Sequence, residues 1–149
     1  MHSGFQTYIP NHALLKKHIS YFYIDVQEDA QFHRRFSFFP HVNTTLTFYK
    51  NANFNQGASH NTVDSAEGLP LLKLLTRQQR VTTVVQQGPI HKLGIVFSPL
   101  GLNHFISETY QSLAADEVQY FQPANNDEWN KQITACFQSG DWESTIHQL

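Results

Sequence analysis

The chain has 149 residues, enough for one domain with a substantial core and a small helical appendage. Hydrophobic residues make up 40% and aromatic residues 13%, which excludes a disordered chain and favours a mainly β domain with an aromatic interior. Residues 1–107 carry nine Lys or Arg against five Asp or Glu, whereas residues 108–149 carry one against seven. Because the acidic end would repel a phosphate backbone, we do not expect this chain alone to bind DNA.

The sequence also bears on the compartment. No apolar run approaches the roughly 20 residues of a membrane span, and the first ten residues lack the regions of a secretory signal. The single cysteine, Cys136, excludes an internal disulfide and fits a reducing environment. We therefore expect a cytoplasmic protein without a membrane partner.

The first half of the chain predicts one short helix followed by strands. Residues 11–19 (NHALLKKHI) indicate a helix with Asn11 as its N-cap. Aromatic content and alternation predict strands over residues 21–26 (YFYIDV), 34–39 (RRFSFF) and 44–50 (TTLTFYK). Residues 51–68 are rich in Asn, Ser and Gly and are predicted to form a loop.

The second half mixes strands and helices. Residues 69–79 suit either a helix or a strand, while VTTVVQQ (81–87) and KLGIVF (92–97) predict a hairpin around GPIH. Residues 102–109 predict a helix with Phe105 and Ile106 facing inward. Two amphipathic helices are predicted over residues 125–140 and 141–149. The last one lacks a terminating cap, so we expect the chain to be a piece of a longer protein.

Nine histidines raise the question of a metal. The closest pairs, His12 with His18 and His33 with His41, fit neither the i, i+2 spacing of a strand site nor the i, i+4 spacing of a helix site. Cys136 lies in an apolar helical pattern and is expected to be a packed thiol. No nucleophile-elbow or phosphate-loop motif occurs. We therefore expect no metal, no cofactor and no catalytic residue, and a binding module, not an enzyme.

Aromatic strand faces are the candidate binding surface. They would either line a small-molecule pocket or simply fill a β-barrel core, and the sequence leaves both alternatives open. A buried hydroxyl, imidazole or guanidinium requires a partner, which makes Tyr49, His41 and Arg77 stronger candidates than the Phe residues. The candidate ligand-binding residues are Phe36, Phe38, His41, Phe48, Tyr49 and Arg77.

The two predicted C-terminal helices each carry an apolar stripe. These stripes predict either a homodimer interface or packing against the β domain. The candidate dimerisation residues are Trp129, Ile133, Phe137, Trp142 and Ile146.

Four segments resemble the N-terminal domain of AraC-type (AraC/XylS family) transcriptional regulators. FSPLGLNHF (97–105) resembles the F-x-P-x-G segment near the end of that domain, and YIPNHALLKKHISYFY (8–23) resembles its opening. FFPHVNTTLTFYK (38–50) resembles the next strand pair, although an acidic residue and Gly usually follow the Pro closely there. ETYQSLAADEVQYF (108–121) is similar to the family's passage into a helical hairpin.

The resemblance implies an α+β, mainly β fold: a cupin-like, jelly-roll type β-barrel over residues 1–110 and a helical dimerisation segment over residues 111–149. It implies a ligand-sensing domain of a transcriptional regulator, which binds an unidentified small-molecule effector and forms a homodimer. DNA would be bound only through a helix-turn-helix domain that this chain lacks. The alternatives are a stand-alone cupin-like small-molecule-binding protein or metal-dependent enzyme, and a module that only dimerises.

Overall fold

The computed structural model describes residues 4–67, 71–75, 80–107, 118–120, 126–141 and 144, with side chains described outside the ranges 71–75, 118–120 and 129–130 and residue 126. Ten strands are described: β1 (Gly4–Tyr8), β2 (Ile19–Gln27), β3 (His33–Phe38), β4 (Thr44–Lys50), β5 (Ala52–Gln56), β6 (Asn61–Ser65), β7 (Leu71–Leu75), β8 (Thr82–Gln87), β9 (Ile90–Phe97) and β10 (Val118–Tyr120). The helices are α1 (Ala13–His18) and α2 (Asn126–Ser139), and Gly101–His104 form a 3-10 turn.

The strands form two sheets. One has six strands in the order β1-β2-β9-β4-β7-β10, and the other has four in the order β3-β8-β6-β5. Pairing is antiparallel except between β6 and β8. The prediction of a mainly β chain is confirmed. Within the described part of the chain, no ladder joins the edge strands of one sheet to those of the other, so the expected closed barrel is not formed.

One face of the six-stranded sheet is covered by helical segments. Alternate residues of β2, β4 and β9 point to this face, as the period of two in a strand requires. Together with Leu102 from the 3-10 turn and two residues of α2 they form a buried cluster, called here the helix-covered core: Ile19, Phe22, Ile24, Val26, Leu46, Phe48, Leu93, Ile95, Phe97, Leu102, Cys136 and Phe137.

The other face of that sheet lies against the four-stranded sheet. The buried apolar residues between the two sheets, called here the inter-sheet core, are Tyr49, Ala52, Phe54, Val63, Val84 and Ile90, with Phe32, Phe36 and Phe38 packed against them. Because adjacent strand residues point to opposite faces, Phe48 belongs to one core and Tyr49 to the other.

The Ser-Pro-Leu-Gly turn after β9 holds the end of α1. The backbone N–H of Ser98 donates to the His18 carbonyl at 2.9 Å, and the Ser98 hydroxyl donates to the Lys17 carbonyl at 3.0 Å. These bonds satisfy carbonyls that the end of a helix leaves free. A Cβ at Gly101 would overlap the His18 carbonyl, so the glycine permits the close approach. Residues 98–101, which belong to one of the four segments that resemble the AraC-type family, thus form a structural turn in this chain.

The N-cap of α1 is His12 and not Asn11, because the His12 Nδ1 accepts from the Leu14 N–H at 3.2 Å. The predicted loop over residues 51–68 is also wrong, since β5 and β6 pair there as an antiparallel hairpin. Ala52, Phe54 and Val63 are buried at alternate positions between polar residues. The high Asn and Ser content led to the loop prediction, although the alternate apolar residues are buried by tertiary packing.

The predicted hairpin of β8 and β9 is wrong for a different reason. β8 pairs with β3 and β6, whereas β9 pairs with β2 and β4, so the Gly88-Pro89 connection crosses from one sheet to the other. Gly88 has φ 77° and donates its N–H to the Phe32 carbonyl at 2.9 Å. The turn-like sequence at Gly88-Pro89 therefore connects two strands of different sheets and not two strands of one hairpin.

For two further segments, the structure decides an open alternative in one and corrects the prediction in the other. The ambiguous stretch 69–79 contains strand β7, and the helix predicted from residue 102 is a 3-10 turn that ends at His104. Leu102 is buried and Ile106 packs against the helix-covered core, as predicted for Ile106, whereas Phe105, also predicted to face inward, is exposed. The later part of that predicted helix lies outside the described residues.

The C-terminal segment, expected to be helical from residue 111, contains strand β10, which pairs with β7. Helix α2 then packs Cys136 and Phe137 into the helix-covered core. Of the predicted second helix only Asp141 and Ser144 are described, so the helical hairpin lies largely outside the described residues. Among the described residues, no helix combines the length and apolar content that a membrane crossing requires.

A glycine at the centre of the six-stranded sheet makes room for a tyrosine. Gly94 is paired with Tyr23 on β2 and with Thr47 on β4. The Tyr23 ring lies over Gly94, and its hydroxyl forms a 2.8 Å hydrogen bond with the Thr47 hydroxyl. A Cβ at Gly94 would overlap the ring.

We therefore expect Gly94→Ala to destabilise the protein by about 1–3 kcal/mol, because the methyl group displaces the Tyr23 ring and breaks its bond to Thr47. Urea unfolding measures the change. In a Tyr23→Leu background the same substitution should cost less, and an equal cost in both backgrounds would contradict the explanation.

Candidate functional site

A cavity of about 520 Å³ opens between the two sheets, a volume typical of small-molecule sites. Its walls combine aromatic side chains with three charged ones. The lining residues are Phe5, Tyr21, Tyr23, Asp25, Arg34, Phe36, Phe38, His41, Asn43, Thr45, Lys92 and Val96.

Asp25 is the most buried charged group of this cavity, with no exposed side-chain surface. Its carboxylate forms ion pairs with the Arg34 Nη2 and, at 3.3 Å, with the Lys92 Nζ. The Gln27 amide donates to the Asp25 Oδ1 at 3.0 Å. Burial alone would raise the pKa of Asp25, but Lys92, Arg34 and Gln27 together lower it below its usual value. The carboxylate is therefore ionised at neutral pH.

Arg34 reaches this carboxylate from the opposite sheet. It lies on edge strand β3, and its Nε donates to the Oε1 of the buried Gln86 at 3.1 Å. The guanidinium carbon lies 5.3 Å from the centre of the Phe32 ring and 5.4 Å from that of Phe36. Cation–π contacts and hydrogen bonds thus orient the guanidinium.

Lys92 completes the group of Asp25, Arg34 and Lys92, called here the charge cluster. Its side chain is 8% exposed, and its Nζ lies 5.7 Å from the Tyr23 ring centre and 5.5 Å from that of Phe36. Burial lowers the pKa of Lys92 to about 8, although the Asp25 carboxylate opposes this shift. At neutral pH the charge cluster holds two cations and one anion.

Two tyrosines stay neutral beside the charge cluster. Burial raises the pKa of Tyr23 to about 12, against a smaller opposing effect of the hydrogen bond with Thr47. Burial also raises the pKa of Tyr49, and the neighbouring Gln86 side chain opposes that shift. Both hydroxyls therefore stay protonated over the whole neutral range, that of Tyr23 within its hydrogen bond with Thr47.

His41 contributes a polar atom of another kind. It lines the cavity, and its Nδ1 is buried without a hydrogen-bond partner among the described residues. An unpartnered buried nitrogen costs free energy, so a bound group that pairs with it would gain by doing so.

The structure brings together three of the six predicted ligand-binding residues, since Phe36, Phe38 and His41 line the cavity. Tyr49 lies in the adjoining inter-sheet core. The prediction for Phe48 is wrong: this residue lies in the helix-covered core and not at the cavity, because it points to the opposite face of β4. Arg77 lies outside the described residues.

The sequence analysis missed the charge cluster. Asp25 in YFYIDV and Lys92 in IHKLGIVF are each the one Asp, Glu, Lys or Arg of a largely apolar strand. Arg34 instead lies beside Arg35 and alternates with Phe36 and Phe38 along β3. Charged residues are almost never fully buried unless they are paired, so this pattern is the signal that could have indicated them. Which of them meet depends on the pairing of strands from two sheets.

The predicted dimerisation residues divide into two groups. Phe137 is buried in the helix-covered core and Ile133 packs against it, which is the second of the two alternatives that the stripe left open. The side chains of Trp129, Trp142 and Ile146 lie outside the described part, so their role in a dimer stays a prediction.

No family model matches this chain, and the comparisons with curated proteins and with solved structures found no similar protein. Within the described ranges, no group of three or more His, Cys, Asp or Glu side chains is placed to hold a metal ion.

Removing the buried anion should be costly. We expect Asp25→Asn to lower the free energy of unfolding by about 3–5 kcal/mol, because it leaves the two cations without their counter-ion. Glu28→Gln is the matched control: the Glu28 Oε1 lies 3.1 Å from the His91 Nε2 at the surface, a contact worth less than about 1 kcal/mol. Equal effects of the two substitutions in urea unfolding would contradict the role given to Asp25.

Lys92 should make stability depend on pH in the alkaline range. The folded state releases the Lys92 proton near pH 8, whereas an ordinary lysine keeps it to about 10.5. Between these values the unfolded state binds more protons, so the contribution of Lys92 to stability rises with pH. The wild-type minus Lys92→Met difference in unfolding free energy should therefore increase between about pH 7 and pH 9.5. A constant difference would contradict the lowered pKa.

Proposed function

We propose that the cavity between the two sheets binds a small molecule. The observation that carries this proposal is the charge cluster on an aromatic wall within a cavity of about 520 Å³. Small-molecule sites typically combine apolar walls with a few fixed polar groups. Burying charged groups costs free energy, and a ligand that pairs with them would offset part of this cost.

We propose further that the chain is the ligand-sensing and dimerisation part of an AraC-type transcriptional regulator. The support is the resemblance of residues 8–23, 38–50, 97–105 and 108–121 to that family, together with a mainly β structure that carries a cavity. The jelly-roll type of the fold, the homodimer and the DNA-binding units beyond this chain belong to the same proposal.

The arrangement of β2 and β9 offers a route from ligand to helices. Each strand contributes a charged residue to the cavity, Asp25 or Lys92, and its neighbour, Ile24 or Leu93, to the helix-covered core. A ligand that prefers one position of these strands would change the packing under α1 and α2. It would shift the population between two states only by its difference in affinity for them.

A cavity-filling variant tests the binding proposal. Thr45 lines the cavity, so Thr45→Phe should occupy the space of the ligand. In a thermal-shift screen of small molecules, we expect compounds that raise the wild-type Tm by about 4 °C or more to lose this effect in the variant. Thr134→Phe, on the exposed side of α2, should keep it. A screen without stabilising compounds, or equal responses of both variants, would contradict ligand binding in this cavity.

A reporter assay tests the regulator proposal. Residues 1–149 are fused to a helix-turn-helix domain that represses a promoter only as a dimer. We expect repression by the fusion, its loss on Trp129→Glu or Trp142→Glu, and no loss on Gln132→Glu, which changes an exposed residue of α2. A fusion that is monomeric in sedimentation and inactive in the assay would contradict dimerisation through this chain.

A further inference from the structure

We propose that the ligand is a small organic anion, a carboxylate with an apolar body, whose carboxylate is received by Arg34 and Lys92. This inference rests on the proposed binding function and deepens it by naming the class of ligand. The charge balance, the free donors and the walls of the cavity each support it.

The charge balance of the cavity is positive. Among its lining residues, Asp25 is the one acidic side chain, and Arg34 and Lys92 are the two basic ones. The Lys92 side chain is 8% exposed, so solvent compensates its charge poorly, whereas Arg34, 30% exposed, is partly solvated. A bound anion would bring the group to neutrality where the surroundings do not screen the attraction.

Hydrogen-bond donors also exceed acceptors. The Asp25 carboxylate already receives Arg34, Lys92 and the amide of Gln27. Arg34 uses its Nε and Nη2, and its Nη1 donates to no described residue. Among the described residues, the Lys92 ammonium forms one ion pair and lies near the Tyr23 and Phe36 rings, and one ion pair does not use all three of its hydrogens. These free donors suit the oxygens of a carboxylate, which guanidinium groups bind well.

His41 adds to this set. Its buried Nδ1 has no partner among the described residues and can donate to an oxygen in one tautomer. A cationic ligand would bind poorly here, because its head group would be repelled by Arg34 and Lys92, and the Asp25 carboxylate is already paired.

The remaining walls define the rest of the ligand. Phe5, Tyr21, Phe36, Phe38 and Val96 line the cavity around the charged groups. Phe5 stacks on Tyr23 with ring centres 5.5 Å apart, and Phe36 meets Phe38 edge to face at 5.2 Å. Such walls favour an aromatic or aliphatic body and leave a highly hydrated ligand without partners.

The test compares ligands that differ only in the head group. Isothermal titration calorimetry at about pH 7 is carried out with 3-phenylpropionate, 3-phenylpropanol and 3-phenylpropylamine, and with the acid, alcohol and amine of shorter and longer bodies. We expect the best carboxylate to bind about tenfold or more tightly than its alcohol and its amine.

Two pairs of variants locate the carboxylate. Arg34→Gln should weaken carboxylate binding about tenfold or more, whereas Arg35→Gln, which changes the exposed neighbour on the opposite face of β3, should leave it unchanged. If Arg34→Gln disturbs folding, a second pair tests the same position: Lys92→Met should weaken carboxylate binding, whereas Lys50→Met, at an exposed residue, should not. Circular dichroism establishes that each variant is folded.

The outcomes separate this inference from the proposed function. An alcohol or amine that binds as tightly as its carboxylate overturns the anion and leaves small-molecule binding in place. Equal losses in Arg34→Gln and Arg35→Gln overturn the assigned position of the carboxylate. If no carboxylate of the series binds at about 10 mM, the anion inference fails, and the thermal-shift screen decides separately whether the cavity binds small molecules at all.

Discussion

The buried carboxylate of Asp25 is the interaction on which the cavity depends. Lys92 approaches it from the neighbouring strand of the same sheet, and Arg34 approaches it from an edge strand of the other sheet. Buried ion pairs contribute little net stability compared with apolar packing, but they fix geometry because one partner without the other is costly. The ion pair between Asp25 and Arg34 therefore joins the two sheets and also holds charged groups at the wall of the cavity.

The six-stranded sheet serves two environments. Its helix-covered side is apolar and contains Leu46, Leu93 and Phe97, whereas its other side carries Tyr23, Asp25 and Lys92. Gly94 lets Tyr23 lie flat and reach Thr47, which keeps this polar side ordered. The same strands therefore contact both the cavity and the packing beneath the helices.

Local patterns predicted much of the fold. Aromatic and β-branched composition predicted β2, and alternation predicted β3 and β4, close to their observed bounds. The apolar spacing of residues 125–140 predicted helix α2. The hairpin of β5 and β6 was missed because polar residues cover its exposed side, and β8 and β9 were joined wrongly because a short connection can also lead to another sheet. Sheet membership depends on long-range packing, which no local window contains.

The same limit applies to the site. Alternation alone already separates Phe48 from Tyr49, and it places Arg34 with Phe36 and Phe38 on one side of β3. The approach of Arg34 to Asp25 and Lys92, however, follows from the stacking of two sheets. The aromatic part of the cavity was therefore predictable from the sequence, whereas the charge cluster needed the structure.

The central claim is that a ligand binds between the sheets and contacts the charge cluster. It is tested most directly by the backbone amide NMR spectrum during titration with 3-phenylpropionate or the tightest-binding carboxylate. We predict that the largest shifts fall on Tyr21, Asp25, Arg34, His41 and Lys92, with small shifts in the exposed residues of α2. Shifts concentrated on α2 and the 3-10 turn, or scattered without relation to the cavity, would contradict the account.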